Sequence, residues 1–560
     1  MSRLGGAIAR AGSRGAPSWE ALTRARAFPD DPSAERGVDW VQTHLSHVFL
    51  SADLVYKFRK PVDLGFVDFS DLAERNADCL REVHLNRRLA PDVYLGVAPL
   101  LGTGEALRVG RPAEGLAEGA AVEHCVVMRR LPEGRDALSL LRSGQLGGDR
   151  LDALAERIAR FHRQQGLGAP APLSPEEWRA RCTGPVSANF RSLAGSEVVE
   201  QSAVERAQAR AQAFVSGRAA DFERRRRDGR AVDGHGDLHL QHLWYEEGRT
   251  EPIAIDCLEF DDALRRIDAA SEVAFTAMDL RYRGAGELAE RFLRSYAREA
   301  DDFDLYSVVD YFLAYRAGVR AKVAALAAGD ESVGAAQRQA ASESARRHLE
   351  LASRVLEPRP TPALVLVAGV VGTGKSSVAA ALADRMEDAA VIASDRVRKR
   401  LAGVAPTERL AGGWGEGAYD AAHGERVYAG LLERARPVLA SGRCAILDAT
   451  FSRRRHRSAA AALARELGVA VFAVEVRCDP EVARERLARR AAEGRDPSDA
   501  GPEAHARSLR DFEPWEEWPE ARLASLATDS QDWPQRLEAL RDRIRLSRAR
   551  PGTRSRRASP

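Results

Sequence analysis

Residues 363–377 read ALVLVAGVVGTGKSS, in which a run of apolar residues enters Gly369-Val-Val-Gly372-Thr373-Gly374-Lys375-Ser376 without a break. An apolar run of that length is a buried strand, and glycines at 369, 372 and 374 let the chain turn sharply into a helix. The pattern is a complete GxxxxGK[ST] phosphate loop. Such a turn aims successive backbone N–H groups at phosphate oxygens from a helix N-terminus. Lys375 reaches the β- and γ-phosphates, Ser376 places its hydroxyl on Mg²⁺, and Thr373 and Ser377 complete the nucleotide-binding stretch. The loop therefore predicts ATP and Mg²⁺ as ligands.

The rest of the chain must supply what a phosphate loop needs: further parallel strands with carboxylates at their ends. AAVIAS predicts a second buried strand, delivering Ser394-Asp395 and, one helical turn on, Arg398. Asp395 could deprotonate or orient a hydroxyl acceptor while Arg398 binds its anionic group; the alternative is an Asp395 that caps its helix. Cys444–Leu447 predicts a third strand, closing in Asp448, the expected orienter of Mg²⁺ or water, or else a helix cap. After a fourth strand at Val469–Val476, the segment Pro480–Arg490 predicts a helix. Its Arg486 and Arg490 share one face, as an arginine lid over the transferred phosphate or as a salt-bridged surface. Strands alternating with helices mean a parallel sheet.

With 560 residues the chain exceeds one ordinary core, and two large domains are expected. No apolar run reaches the roughly 18 residues of a membrane span, so a cytoplasmic protein is the expectation. Six dispersed cysteines without a CxxC pair argue against disulfides or a zinc site. A net charge of +2 supplies no global field for nucleic acid. Of 84 basic residues only five are lysines, at 57, 60, 322, 375 and 399. Arginine replaces lysine as a surface charge but not as a compact ammonium held against phosphate. Surviving lysines therefore mark candidate sites, with chance survival accepted for Lys322 and Lys399.

The other half is consistent with that rule. THLSHVFL and LVYKFRK flank a turn and predict a hairpin with Lys57 on its second strand. A helix over Asp71–Leu89 offers Glu82 as a partner. VEHCVVM, near Val122–Met128, predicts a buried strand leaving through a Pro/Gly turn. Further on, His235-Gly236-Asp237 precedes Leu238-His239-Leu240-Gln241-His242, and EPIAID carries Asp256 to the end of a short strand. Two loops that each deliver a carboxylate suit a site holding a hydroxyl and Mg²⁺.

Over roughly residues 38–345 the chain resembles the aminoglycoside and choline phosphotransferases, relatives of the protein kinases, on VYK, VMRRLP, HGDLH, Asp256 and the later Asp268. The resemblance implies that Lys57 holds the α/β-phosphates, Glu82 orients it, Asp237 is the catalytic base and Asp256 a metal ligand. It departs at His242, where the family motif has a metal-binding Asn; neutral imidazole suits softer metals than Mg²⁺. Residues 361–545 resemble P-loop kinases of the gluconate and polynucleotide kinase type, on GVVGTGKSS, SDxxR, LDATF and the arginine-rich lid.

The expected organisation is a loosely ordered leader (1–37), a kinase-like two-lobed domain (38–345), a linker (346–361), a P-loop kinase domain of AAA type (362–545) and a disordered basic tail (546–560). The fold class is mixed, α+β followed by α/β. The expected activity is transfer of the γ-phosphate of ATP to a small-molecule hydroxyl acceptor. The alternatives are a regulatory ATP-binding switch with a degenerate kinase-like half, and a polynucleotide 5′-hydroxyl kinase.

Overall fold

The computed structural model describes residues 17–63, 65, 67–116, 121–404, 408, 420–493, 503–516 and 518–548. The chain forms two compact units that do not follow the two sequence halves. The first joins the N-terminal 146 residues to His235–Arg266; the second takes Gly147–Gly234 and everything from Ile267.

The first unit is built on a six-stranded antiparallel sheet. Its order is Asp39–Gln42, Ser46–Leu50, Leu54–Arg59, Glu123–Arg129, Tyr94–Leu101 and Arg108–Val109. The hairpin is found as expected, with Lys57 opposite Val48 on one side and Val126 on the other. Side chains alternate across a strand, so Tyr56 and Phe58 enter one face while Lys57 faces the other. The Lys57 face is covered by the helix Leu72–Asn86, whose Cys79 and Val83 pack on Val97 and Val126. Asp71 caps that helix by accepting from the Ala73 N–H at 2.6 Å.

The opposite face corrects the expected leader. Residues 17–36 form three short 3-10 turns, and Leu22, Ala27 and Phe28 bury fully against Phe49, Phe58 and Val127. A sheet with two apolar faces needs two covers, and this segment is the second. Residues 1–16 lie outside the described residues.

The second unit contains a helical part and a five-stranded parallel sheet. The sheet order is Ala389–Ala393, Cys444–Asp448, Ala363–Ala368, Ala470–Arg477 and Leu523–Ala527, parallel throughout. The phosphate-loop strand is central and every residue in it is buried. Parallel strands covered by helices on both faces read as continuous apolar runs, which is why four of the five are visible in the sequence. The fifth, LASLA, carries too little apolar bulk to stand out. Helices Lys375–Arg385 and Trp533–Ser547 close one side through Val378, Leu382, Leu537 and Ile544.

The expected linker and tail also need correction. The helix Ala335–Arg354 runs through the first nine linker positions and buries Leu349, Leu351 and Ala352. In the expected tail, residues 546 and 547 continue the last helix, and Arg548 forms a double hydrogen bond to Asp388 at 2.7 Å. Residues 549–560 lie outside the described residues. No helix among the described residues is long and apolar enough to cross a membrane.

Candidate functional site

The loop after Ala368 turns through positive φ at Gly369 (144°), Gly372 (88°) and Gly374 (88°). Helix Lys375–Arg385 begins immediately afterwards, so the loop N–H groups gather at its N-terminus. Internal hydrogen bonds fix the loop: Thr373 Oγ1 donates to Val370 O at 2.9 Å, and Lys375 Nζ donates to the same carbonyl at 3.0 Å. His505 Nδ1 lies 2.7 Å from Val371 O. Thr528, just past the fifth strand, donates to Thr373 O at 2.7 Å and accepts from Arg486 Nη1 at 2.7 Å.

A cavity of about 1010 Å³ opens on this loop. Gly372, Gly374, Lys375, Ser376, Ser377, Asp395, Arg398, Asp448 and Arg486 all line it. The parallel register explains the gathering, since Val367 pairs with Asp448 and Asp448 with Ala393, so three strands end level beside the loop. Gly369 and buried Thr373 stand behind the wall, Thr373 as a brace for the loop. The Arg490 side chain lies outside the described residues, as do residues 494–502 of the expected lid. Arg489, unmarked in the sequence reading, lines the cavity beside Arg486.

Neither carboxylate caps a helix. The helix Ser394–Leu401 has Ala393 at its N-cap without a side-chain cap bond, and the helix after Asp448 starts from Arg453. Beyond Asp448 the backbone takes a left-handed turn at Phe451 (φ 48°), a conformation a bulky residue adopts only when its surroundings impose it. Tyr428 imposes it from one side: its hydroxyl accepts from Phe451 N at 3.0 Å and lies 2.9 Å from Thr450 Oγ1. Burial pushes this phenol up, so it stays protonated. Arg457, fully buried, holds the other side by donating to Phe451 O, Glu513 O and Pro514 O. The sequence signal for this turn was LDATF; nothing in it pointed to Tyr428 or Arg457.

The first unit gathers a second group of site residues. Lys57 Nζ donates to Glu82 Oε1 at 2.9 Å and to Asp256 Oδ1 at 3.1 Å. Buried Arg59 takes the other Glu82 oxygen at 2.6 Å, with Asp78 and Glu259 each at 2.6 Å. Burial works against the Lys57 charge, but Asp256 and Glu82 outweigh it and hold its pKa up. Lys57 in turn holds the Asp256 carboxyl well below the usual carboxylate range. Burial pushes Glu259 up to about 7.

Asp256 has φ 61° and its N–H donates to the Tyr94 hydroxyl at 3.1 Å, while Asn86 Oδ1 accepts from Cys257 N at 2.8 Å. The turn is thus anchored on both sides. His242 Nδ1 lies 2.9 Å from Asp237 O, and its Nε2 lies 3.4 Å from Asp256 Oδ2. With Nδ1–H donating to that carbonyl, the Nε2 lone pair faces the Asp256 carboxylate, an arrangement a cation would bridge. Asp237, His239 and His242 are also close enough to share one ion. Asp268, which helped carry the family resemblance, receives buried Arg225, which also binds Asp302.

Comparison with known proteins agrees with the second-half geometry. Residues 364–515 match the family described as "AAA domain". Among solved structures the chain is similar to amicoumacin kinase hAmiN in complex with AMP-PNP, Ca²⁺ and Ami, at 14% identity over 59% of this chain and 91% of that one, TM-score 0.37. It is similar also to Chaetomium thermophilum Kti12 in complex with ADP-AlF3, at 18% identity over 34% of this chain and 100% of that one, TM-score 0.27. The "Uncharacterized protein Rv2004c" of Mycobacterium tuberculosis is 35% identical over 477 residues, covering 83% of this chain and 88% of the relative, and Mb2027c of Mycobacterium bovis matches equally. The chain therefore belongs to the family of these mycobacterial proteins.

Proposed function

We propose that the chain is an ATP-dependent phosphotransferase that moves the γ-phosphate from the loop at 369–376 to a hydroxyl acceptor in the same cavity. The observation that carries this reading is the convergence of Lys375, Ser376, Asp395, Arg398 and Asp448 on one cavity of about 1010 Å³. Lys375 and the loop amides grip the phosphates, Asp395 orients or deprotonates the acceptor, and Arg486 with Arg489 offsets charge on the transferred group. The Ser376 hydroxyl and Asp448 carboxylate are hard oxygen donors, the set that suits Mg²⁺, which would neutralise phosphate charge there. Arg490 belongs to the same proposed lid.

The first unit supports a parallel role. Lys57, oriented by Glu82, is the proposed phosphate grip, Asp237 the base and Asp256 with His242 the metal ligands. The His242 imidazole favours a softer ion than Mg²⁺ in this half. A switch role for this half remains the second reading, favoured by that histidine.

Replacing Lys375 with Ala tests the main reading. Loss of one ammonium from the phosphates should cut transfer by roughly a hundredfold or more, measured as phosphate transfer from labelled ATP across sugars, nucleosides, aminoglycosides and oligonucleotides. Transfer retained at the wild-type rate would overturn it.

A further inference from the structure

The cavity over the phosphate loop is not lined by the P-loop domain alone. Asp152, Arg291, Arg294, Ser295 and Arg298, all from the helical part of the same unit, form part of its wall. Four of them share the helix Gly286–Ala300 with Glu290, and Glu290, Arg294 and Arg298 recur every four residues along one stripe. The helix packs its apolar stripe inward through Phe292, Leu293, Tyr296 and Ala297.

Glu290 ties that stripe to the strand that ends in Asp448. Arg443, fully buried at the foot of the strand, donates to both Glu290 oxygens (2.9 and 3.0 Å) and to both Asp310 oxygens (2.7 and 3.0 Å). From this shared anchor the strand advances roughly 17 Å to Asp448 and the helix roughly 12 Å to Arg298, comparable reaches. Further along, Glu299 accepts from Arg396 Nη2 at 2.8 Å and Nη1 at 3.0 Å, and Asp301 accepts from Arg434 at 2.6 and 2.7 Å. Arg396 follows Asp395 directly, so the helix carrying Asp395 and Arg398 is held by carboxylates of the helical part. Arg298 Nε also donates to Glu299, at 2.9 Å. Two guanidinium groups thus share the Glu299 carboxylate.

We propose that Arg298, working with Arg398, binds an oxyanion of the phosphate acceptor. The acceptor is then a hydroxyl compound that also carries a phosphate or carboxylate, and the P-loop site is complete only with the helical part in place. This inference rests on the phosphotransferase reading above and narrows its acceptor.

The test uses the full chain saturated with Mg²⁺ and a non-hydrolysable ATP analogue. Titration calorimetry is run with matched pairs: glucose 6-phosphate and gluconate against glucose, and a nucleoside 5′-monophosphate against its nucleoside. The anionic member of at least one pair should bind about tenfold or more tightly than its neutral parent, a gain expected of one charge-assisted contact. Arg298→Ala should remove that preference while leaving affinity for the ATP analogue unchanged, and Arg298→Lys should restore part of it. Arg298 is more than a third exposed, so both variants should melt near the wild type. A phosphate preference and a carboxylate preference identify the two acceptor sources. Equal binding of every pair, no binding by any acceptor, or a preference that survives Arg298→Ala overturns the proposal. Failure of the ATP analogue itself to bind would strike the underlying reading instead.

Discussion

A Cβ added to Gly369 would lie 2.3 Å from the carbonyl oxygen of Val476, on a backbone with φ 144° that side chains rarely adopt. Both objections are to main chain, which cannot swing aside. Gly369→Ala should therefore cost about 2 kcal/mol or more and weaken nucleotide binding. At Gly403, φ is 74° but nothing lies within 4 Å, so Gly403→Ala should cost only the backbone term, about 1 kcal/mol. Paired melting curves isolate the effect of close approach, and equal losses would refute it. Glycine spacing made this position legible from the sequence. Lysine scarcity likewise pointed to Lys57, which the structure brings to Glu82 and Asp256. Lys399, set aside as chance survival, is buried on the helix bearing Asp395 and Arg398. Arginine was the blind spot: Arg59, Arg225, Arg443 and Arg457 are all buried, yet each reads locally as surface charge. Their partners lie far away in sequence, so no local pattern announces them.

Elements with a strong period or an unbroken apolar run were read correctly: the Lys57 hairpin, the Glu82 helix and four of the five parallel strands. Elements whose order depends on what covers them were not. The segment 17–36 has no period because short 3-10 turns impose none, and it is ordered by the sheet face beneath it. The clamp joining the helix Gly286–Ala300 to the strand Cys444–Asp448 was equally invisible. Arg443 there also stacks over Tyr306, 5.1 Å from the ring centroid. Arg443→Ala would leave two buried carboxylates without the counter-ion they share, although Arg359 stands 3.1 Å from Asp310 and Arg281 also pairs with Glu290. Breaking a buried pair from one side typically costs about 3–5 kcal/mol. Denaturant unfolding should show a loss of that order; a loss below about 1 kcal/mol would mean that Arg359 and Arg281 suffice for both carboxylates.

At the scale of the molecule, the division into units fails to follow the break that EPRPTP suggests, because the helical part of the first half belongs with the P-loop sheet. Charge burial in that unit sets its response to acid. His162 and His348 are held neutral by burial, with pKa values lowered to about 3 and about 4. Unfolding would let them protonate near 6.5, so their contribution is complete above that pH and is lost as pH falls toward 3. Glu290 and Asp302 are charged in the fold; burial opposes this, but Arg443 and Arg225 respectively overcome it and bring both to about 2. Their contribution is present above the ordinary carboxylate range and is lost as pH falls from about 4.5 toward 2. Both sets act in the same direction, at about 1.4 kcal/mol per unit of displacement before structural relaxation. Glu259, in the other unit, acts oppositely: with its pKa raised to about 7, it favours the fold below 4.5 and loses that contribution as pH rises through 7. The P-loop unit should therefore weaken from pH 7 to 5 and steeply below 4.5. In thermal scans its transition is identified as the one whose upward shift by Mg-ATP is lost in Lys375→Ala, since a ligand stabilises the unit that binds it and the first unit is also a proposed ATP site. A ligand-shifted transition with the same midpoint at pH 7 and pH 5 would contradict the neutral burial of His162 and His348.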